Sequence, residues 1–220
     1  MIDLETLASS SNAAVIQIGA CPFNLEMGEI DQPMTVLVKP NLKIADVSVD
    51  TICWWLEQSD AARRSVAQCR HGRPEQMALA DLNSFIAFQC AFEVQAWAMP
   101  PEFDLVILRN MAERHDMMLP WHFAMTRDLR TLERLVGASK PDRIAPSVAH
   151  DAGRDAEAQA LTAIKYFKML NGERDALRRF KDFVHKRLDD AGVETHPDGP
   201  HSKEGCRIGD RLDIVLEGKG

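Results

Sequence analysis

Residues 13–23, Ala-Ala-Val-Ile-Gln-Ile-Gly-Ala-Cys-Pro-Phe, form a long run rich in β-branched side chains, which predicts a buried strand. Residues 1–7 alternate apolar and polar side chains before a short Ser/Asn loop, so they predict a neighbouring strand. Residues 34–38 predict a third strand after a turn at Gly28. Because tight turns connect antiparallel strands, we expect a three-stranded meander here.

After residue 40 the apolar spacing becomes helical, and helices dominate the predicted elements. The expected elements are a helix capped by Ser48 or Asp50, a helix at about 75–92, a strand at 94–98, a helix starting at Pro100-Pro101, a strand at 121–126, a helix capped by Asp128 and a helix at 151–170. Helical crossovers connect parallel strands. The pattern therefore predicts an α/β domain with a mixed five-stranded sheet flanked by helices.

The predicted organisation is one domain at residues 1–170 followed by a C-terminal helix and flexible tail at 171–220. Asn171-Gly172 separates the last domain helix from a strongly charged helix at 173–191. Residues 192–209 are rich in Gly, Pro, His, Ser and charge, which favours a loop or disorder. Residues 211–216 fit either a late edge strand or an unanchored tail.

Composition limits the class of protein. With 220 residues, 45% hydrophobic and 27% charged, the chain is globular and is neither fibrous nor disordered. Its net charge of -7 means that any nucleic-acid contact must come from a local basic face. Five irregularly spaced cysteines favour a reducing, cytoplasmic setting, and we expect no signal peptide, membrane span or membrane partner.

Four carboxylates and one histidine are the candidate reactive groups. Asp3 and Glu5 lie two apart on a strand and so share a face, where they could bind one cation or simply be solvated. Asp104 opens a helix, where a carboxylate also favours the helix dipole. His150 and Asp155 stand at the start of a later helix, where a loop residue beside a cap is the alternative.

Taken together and in this order, these groups resemble the DEDDh (DnaQ-like) 3'-5' exonucleases. Asp3-Leu4-Glu5-Thr6 resembles the first exonuclease motif, residues 97–104 the second and residues 150–160 the third. Residues 12–19, 54–58 and 127–132 are similar to a bacterial and phage branch related to RNase T. The sister DEDDy group has Tyr in place of His, and the only tyrosine here, Tyr166, lies deep in the helix after Asp155.

The resemblance covers roughly residues 1–170 and implies an RNase H-like fold with 3'-5' exonuclease activity. It implies that Asp3, Glu5, Asp104 and Asp155 hold two Mg²⁺ or Mn²⁺ ions and that His150 is the general base. Two divalent cations about 3.5–4 Å apart supply a hydroxide nucleophile and stabilise the charged phosphate. Hard oxygen ligands suit these metals.

An exonuclease of this kind must also hold a single-stranded 3' end, of RNA or DNA. Trp55 and Phe103 are candidates to stack on the terminal base, with core packing as their alternative, and Trp54 is assigned to the core. By the same resemblance, Leu4 and Thr6 contact the terminal sugar and Gln58 reaches the scissile end. Relatives such as RNase T pair their subunits, which implies a homodimer.

Basic residues are concentrated late in the chain. Residues 165–187 carry eight basic side chains against three acidic ones, which could guide a phosphate backbone or form a solvated or partner-facing helix surface. Arg127 and Arg130 are each expected to form an ion pair that stabilises the fold.

Two other classes of function are alternatives to a nuclease. A catalytically inactive nucleic-acid-binding or scaffold protein with this fold is the main alternative to an enzyme. A zinc site at Cys53, Cys69 and His71 lacks the usual ligand spacing, and no Gly-x-Ser-x-Gly motif supports a serine hydrolase.

Overall fold

The computed structural model describes residues 1–90 and 93–190. Its strands are β1 (Ile2–Thr6), β2 (Val15–Ala20), β3 (Phe23–Asn24), β4 (Glu29–Ile30), β5 (Met34–Lys39), β6 (Arg73–Pro74), β7 (Ala96–Ala98) and β8 (Thr126–Asp128). Its α-helices are α1 (Val49–Glu57), α2 (Asp60–Gln68), α3 (Glu75–Gln89), α4 (Asp104–Glu113), α5 (Leu129–Leu135) and α6 (Ala152–Asp190). The fold is thus mixed α/β.

The central sheet has the order β1-β2-β5-β6 and is mixed, because β5 and β6 are parallel while the other pairs are antiparallel. The predicted three-stranded meander is confirmed as β1, β2 and β5. On β1, Leu4 is buried in the main hydrophobic core, whereas Asp3 and Glu5 alternate with it and are only partly buried. One face of β1 therefore serves the core and the other carries carboxylates.

The predicted five-stranded sheet is wrong in detail. β7 and β8 form a separate parallel pair; β7 lies close to β1, but the two strands are not joined in one sheet. The backbone N–H of Leu4 on β1 donates to Asp104 Oδ1 at 3.1 Å, so this donor is not available to a ladder with β7. The mixed sheet proper has four strands.

Several element boundaries also differ from prediction. The strand expected at 121–126 is shifted to β8, because residues 123–125 form a 3-10 turn, and the helix expected from Pro100-Pro101 begins at Asp104. Helix α2 and the β3–β4 hairpin were not predicted, whereas the caps Ser48 and Asp128 are confirmed.

Helix α6 is continuous from Ala152 to Asp190, so the break expected at Asn171-Gly172 is wrong. A single glycine costs a helix only about 1 kcal/mol, and no proline lies in the helix on either side of it. The predicted tail at 192–209 and the strand or tail at 211–216 lie outside the described residues.

The chain divides into two compact units, Met1–Phe167 and Lys168–Gly220. The first contains both sheets and a core that includes Ile18, Leu79 and Leu108. The second, as far as it is described, is the later half of α6. The predicted boundary at residue 170 stays a prediction. Among the described residues, no helix combines the length and apolarity that crossing a membrane requires.

The start of α6 lies directly on β2 and β5, and two glycines permit this approach. A Cβ at Gly19 would collide with the Ala152 carbonyl group, and one at Gly153 would lie 2.7 Å from the Met34 carbonyl oxygen. The Ala152 N–H donates to Gln17 Oε1 at 3.0 Å. These contacts bring the first turn of α6 over the carboxylate face of the sheet.

We expect Gly19→Ala to lower the free energy of unfolding by about 3 kcal/mol or more, because backbone atoms on α6 must move to admit the methyl group. Gly172→Ala is the matched control, since nothing lies within 4 Å of a Cβ at that helical glycine; it should raise stability by about 0.5–1 kcal/mol. Urea denaturation of both variants measures the difference. Equal stability of the two would contradict the close packing at Gly19.

Candidate active site

Three carboxylates from two distant parts of the chain meet at one place. Asp3 and Glu5 on β1 and Asp155 in the first turn of α6 each offer an oxygen atom, and these atoms lie within 4.8 Å of one another. Among the described residues, this is the one His/Cys/Asp/Glu group close enough to hold a metal ion. The zinc alternative at Cys53, Cys69 and His71 therefore finds no such group.

Asp104 borders this group from the start of α4. Its side chain is buried and accepts the hydrogen bond from the N–H of Leu4, the residue between Asp3 and Glu5. Its negative charge raises the pKa values of both Asp3 and Glu5. The four predicted carboxylates thus lie together, although Asp104 is outside the tightest set of oxygen atoms.

Burial raises the pKa of every one of these carboxyl groups. For Asp3, burial is the largest cause and repulsion from Asp104, Glu5 and Asp155 adds to it, so its pKa lies well above its usual range. Burial raises the pKa values of Glu5 to about 8, of Asp104 to about 7 and of Asp155 to about 6. Bringing acidic groups together in a buried place costs free energy unless a cation compensates.

The hydrogen bonds around the carboxylates also fit a divalent cation. Asp155 Oδ2 is buried and has no hydrogen-bond partner among the described residues. Carboxylate oxygens of this kind are the hard ligands that Mg²⁺ and Mn²⁺ prefer. The donor set therefore suits such an ion.

Gln159 is a residue of the site that the sequence analysis missed as such. Its Nε2 donates to Asp3 Oδ1 at 2.7 Å, and its Oε1 is buried without a partner in the described part of the chain. The available signal was its position four residues after Asp155, because residues at i and i+4 share a helix face. Gln159 thus orients Asp3 from the helix that also carries Asp155.

His150 lies beside the carboxylates, just before α6. Its φ of 61° is left-handed, an uncommon conformation for a residue other than glycine. Its Nδ1 is 3.8 Å from Glu5 Oε1, and its ring centroid is 5.0 Å from that of Trp54. Burial lowers the pKa of His150, which favours the neutral imidazole that can accept a proton at neutral pH.

Of the two tryptophans of α1, the structure buries Trp55 and exposes Trp54. Trp55 is 2% exposed, and its Nε1 donates to the Thr6 carbonyl oxygen at 2.9 Å, so core packing accounts for it and its faces are not open to a base. Trp54, assigned to the core by sequence, is 42% exposed. The exposed indole ring next to His150 is therefore that of Trp54.

Leu4 and Thr6, which the resemblance places at the terminal sugar, alternate with the carboxylates along β1. Both side chains are buried on the face opposite Asp3 and Glu5, and Thr6 Oγ1 donates to the Ala8 carbonyl oxygen. Phe103 is half-buried against the core next to Asp104, and Gln58 Nε2 donates to the Trp54 carbonyl oxygen. The roles of Leu4, Thr6, Phe103 and Gln58 in substrate binding stay predictions.

The two arginines of the family-like segment have different roles. Arg130 forms ion pairs with Asp128 and Glu102, as the fold-holding interpretation predicts. Arg127 instead donates to the carbonyl oxygens of Ala124 and Thr126.

A cluster of carboxylates, partly or fully buried, beside a histidine whose lowered pKa favours the neutral form is typical, on a mixed α/β scaffold, of metal-dependent hydrolases of phosphodiesters. Residues 1–167 match the family described as the 3'-5' exoribonuclease Rv2179c-like domain. The chain belongs to this family, which makes it an exonuclease-type hydrolase whose substrate is a nucleic acid. No curated protein matches the chain.

The raised pKa values predict that the metal-free protein loses stability as the pH rises. Groups whose pKa is higher in the folded state stabilise the fold at low pH, and this contribution is lost as the pH passes through values of about 6 to 8. We expect Tm to be about 5 °C lower at about pH 8.5 than at about pH 6.5 in EDTA. The range begins at about pH 6.5 because the lowered pKa of His150 acts in the opposite direction below it.

Thermal unfolding monitored by circular dichroism measures this effect. Millimolar Mn²⁺ should remove most of the loss at high pH, because the cation neutralises the ionised carboxylates. Glu5→Gln is the matched variant and should flatten the pH dependence in EDTA. A Tm that is independent of pH and of Mn²⁺ would contradict the electrostatic description of the cluster.

Proposed function

We propose that this protein is a 3'-5' exoribonuclease of the DEDDh type, with an RNase H-like fold, acting on single-stranded 3' ends. The observation that carries the proposal is the meeting of Asp3, Glu5 and Asp155 within 4.8 Å, with His150 Nδ1 3.8 Å from Glu5. The family membership supports RNA as the substrate. The resemblance of three separate motifs to the DEDDh enzymes supports the subtype.

In this proposal Asp3, Glu5 and Asp155, with Asp104 beside them, hold two Mg²⁺ or Mn²⁺ ions. When bound, these ions supply an activated hydroxide and compensate the negative charge that develops on the phosphate. Gln159 keeps Asp3 oriented through its hydrogen bond. The raised pKa values support cation binding, because a nearby cation restores the ionised carboxylates that repel one another without it.

His150 accepts the proton of the attacking water. Its lowered pKa favours the neutral base at pH 7, and Glu5 lies near Nδ1, which leaves Nε2 as the nitrogen for the water. The left-handed backbone at His150 and the packing of Ala152 on Gln17 hold the imidazole at the carboxylates. The histidine thus acts on the water and the carboxylates act through the cations.

The exposed Trp54 replaces Trp55 as the candidate surface for the terminal base. An aromatic face stabilises a stacked base by about 1–3 kcal/mol without much sequence preference. Trp54 is exposed and its ring lies next to His150, and Phe103 directly precedes Asp104 in the chain. A homodimer and a cytoplasmic location stay predictions.

The direct test is degradation of a 5'-labelled single-stranded RNA, with single-stranded DNA and duplex RNA of the same sequence as comparisons. We expect a ladder that shortens from the 3' end with Mg²⁺ or Mn²⁺ and disappears in EDTA. RNA with a 3'-terminal phosphate should be cut more slowly if the free end is held at the site. Binding of RNA without cleavage under any condition would instead support the catalytically inactive nucleic-acid-binding alternative.

A further inference from the structure

The later half of α6, residues 168–187, is basic in an otherwise acidic chain. It carries seven basic side chains against Glu173, Asp175 and Asp182, while the whole chain has a net charge of -7. The family match ends at residue 167, so the match assigns nothing to this segment. Its net positive charge attracts a polyanion such as a nucleic acid.

The same segment has an apolar stripe that is open to solvent. Leu170, Leu177, Phe180 and Val184 recur at helical spacing, and Phe180 and Phe183 are each 57% exposed. The Arg187 guanidinium lies 5.6 Å from the centroid of the Phe183 ring. Aromatic rings beside arginines are the side chains with which proteins stack the bases of single strands.

Basic residues adjoin this stripe mainly on one side. At 3.6 residues per turn, Arg174, Arg178 and Lys181 lie beside the stripe, whereas Lys168, Arg179 and Lys186 lie on the far side of the helix with Asp175 and Asp182. Within the described part of the chain, no ion pair joins Arg174, Arg178 or Arg179 to an acidic side chain. Their guanidinium groups remain available for phosphates.

We propose that this face of α6, residues 168–187, binds single-stranded RNA. The inference rests on the proposed exoribonuclease function and extends it to a second binding surface. The segment is about 30 Å long, which is enough to contact several nucleotides. RNA carries the negative charge that the basic side chains of this segment complement, whereas a second copy of the helix would bring basic side chains against basic side chains.

The test compares long and short RNA substrates. For the variant R174Q/R178Q/R179Q, we expect KM for an RNA of about 30 nucleotides to rise about tenfold near physiological salt, with kcat unchanged. A substrate of about four nucleotides, too short to reach a second surface, should be cleaved as by the wild type. The slope of log KM against log [salt] for the long RNA should decrease by about 2, since each of the three lost phosphate contacts contributes about 0.7 to that slope.

Two further variants test the acidic residues and the aromatic residues of the helix separately. E173Q/D175N/D182N on the same helix is the matched control of opposite charge, and its KM for the long RNA should stay the same or fall. F180A/F183A should raise KM for the long RNA about tenfold through lost base stacking. Circular dichroism should show the wild-type fold in all three, because the changed side chains are mostly exposed.

The failure of this proposal is distinguishable from failure of the exoribonuclease function. If the wild type cleaves both RNAs and the variants leave KM and its salt dependence unchanged, the helix surface is refuted while the function stands. If the wild type cleaves neither RNA, fluorescence anisotropy of the long RNA decides: equal affinity for wild type and R174Q/R178Q/R179Q overturns the proposal, and weaker binding by the variant supports it. Conversion of a dimer to a monomer by F180A/F183A, with unchanged RNA affinity, would assign the stripe to a second copy.

Discussion

Asp3→Asn is expected to reduce 3'-5' exoribonuclease activity by at least about 10³-fold. The substitution removes the carboxylate at the centre of the cluster, and metal-borne charge stabilisation of several kcal/mol corresponds to three or more factors of ten in rate. The asparagine amide is nearly isosteric, and its oxygen can still accept the hydrogen bond from Gln159 Nε2. The measurement is the single-turnover rate on 5'-labelled RNA at saturating Mg²⁺.

Stability measurements separate this loss from misfolding. Because Asp3 is a partly buried carboxyl group whose pKa is raised by burial and by its acidic neighbours, its neutralisation should raise the Tm of the metal-free protein at about pH 8. The rise of Tm on adding Mn²⁺ should shrink in the same variant. Asp31→Asn, an exposed acidic residue away from the cluster, should match the wild type in every assay. Wild-type activity in Asp3→Asn would rule out the proposed metal site.

His150→Asn is expected to lower kcat by about 10² to 10⁴-fold, the range that general acid–base catalysis contributes. Asparagine is the suitable replacement, because it tolerates the left-handed φ of 61° at this position better than alanine does. The stabilisation by Mn²⁺ should persist, since His150 is not a member of the carboxylate group. KM should change little.

The pH profile identifies the histidine as a base and not only a structural residue. In the wild type, kcat should rise with pH through the pKa of His150, which burial places below the usual histidine range, and then level off. In His150→Asn this rise should be absent. His71→Asn, an exposed histidine elsewhere, is the matched control and should keep the wild-type profile. A normal rate for His150→Asn would assign the proton transfer to another group.

Local patterns predicted those parts of the site that depend on neighbours in sequence. Strand periodicity placed Asp3 and Glu5 on one face, and the structure confirms this alternation along β1. Ser48 and Asp128 were identifiable as caps because a capping side chain bonds an N–H two or three residues ahead. The predicted start of the helix near residue 151 also placed Asp155 in its first turn, as the structure has it.

Other features were not predictable because packing partners decide them. The choice between Trp54 and Trp55 for burial follows from the Thr6 carbonyl oxygen, which accepts from Trp55 and lies 49 positions away in sequence. Strand β7 is not part of the main sheet, and the Leu4 N–H of β1 donates its hydrogen bond to Asp104 instead of to a neighbouring strand. Gln159 gained its role only through contact with Asp3 across the fold.

Local sequence patterns were enough to identify the residue types available to the site, the strand face and helix turn that they occupy, and the family that they resemble. The approach of Asp3 and Asp155, far apart in the chain, to a distance at which they could share a cation depends on long-range packing, because the bare backbone at Gly19 admits α6 onto β2. The raised pKa values of the cluster depend on the same packing. Those depend on the depth of burial and on the distance between charges, and both are properties of the packed molecule and not of a local segment.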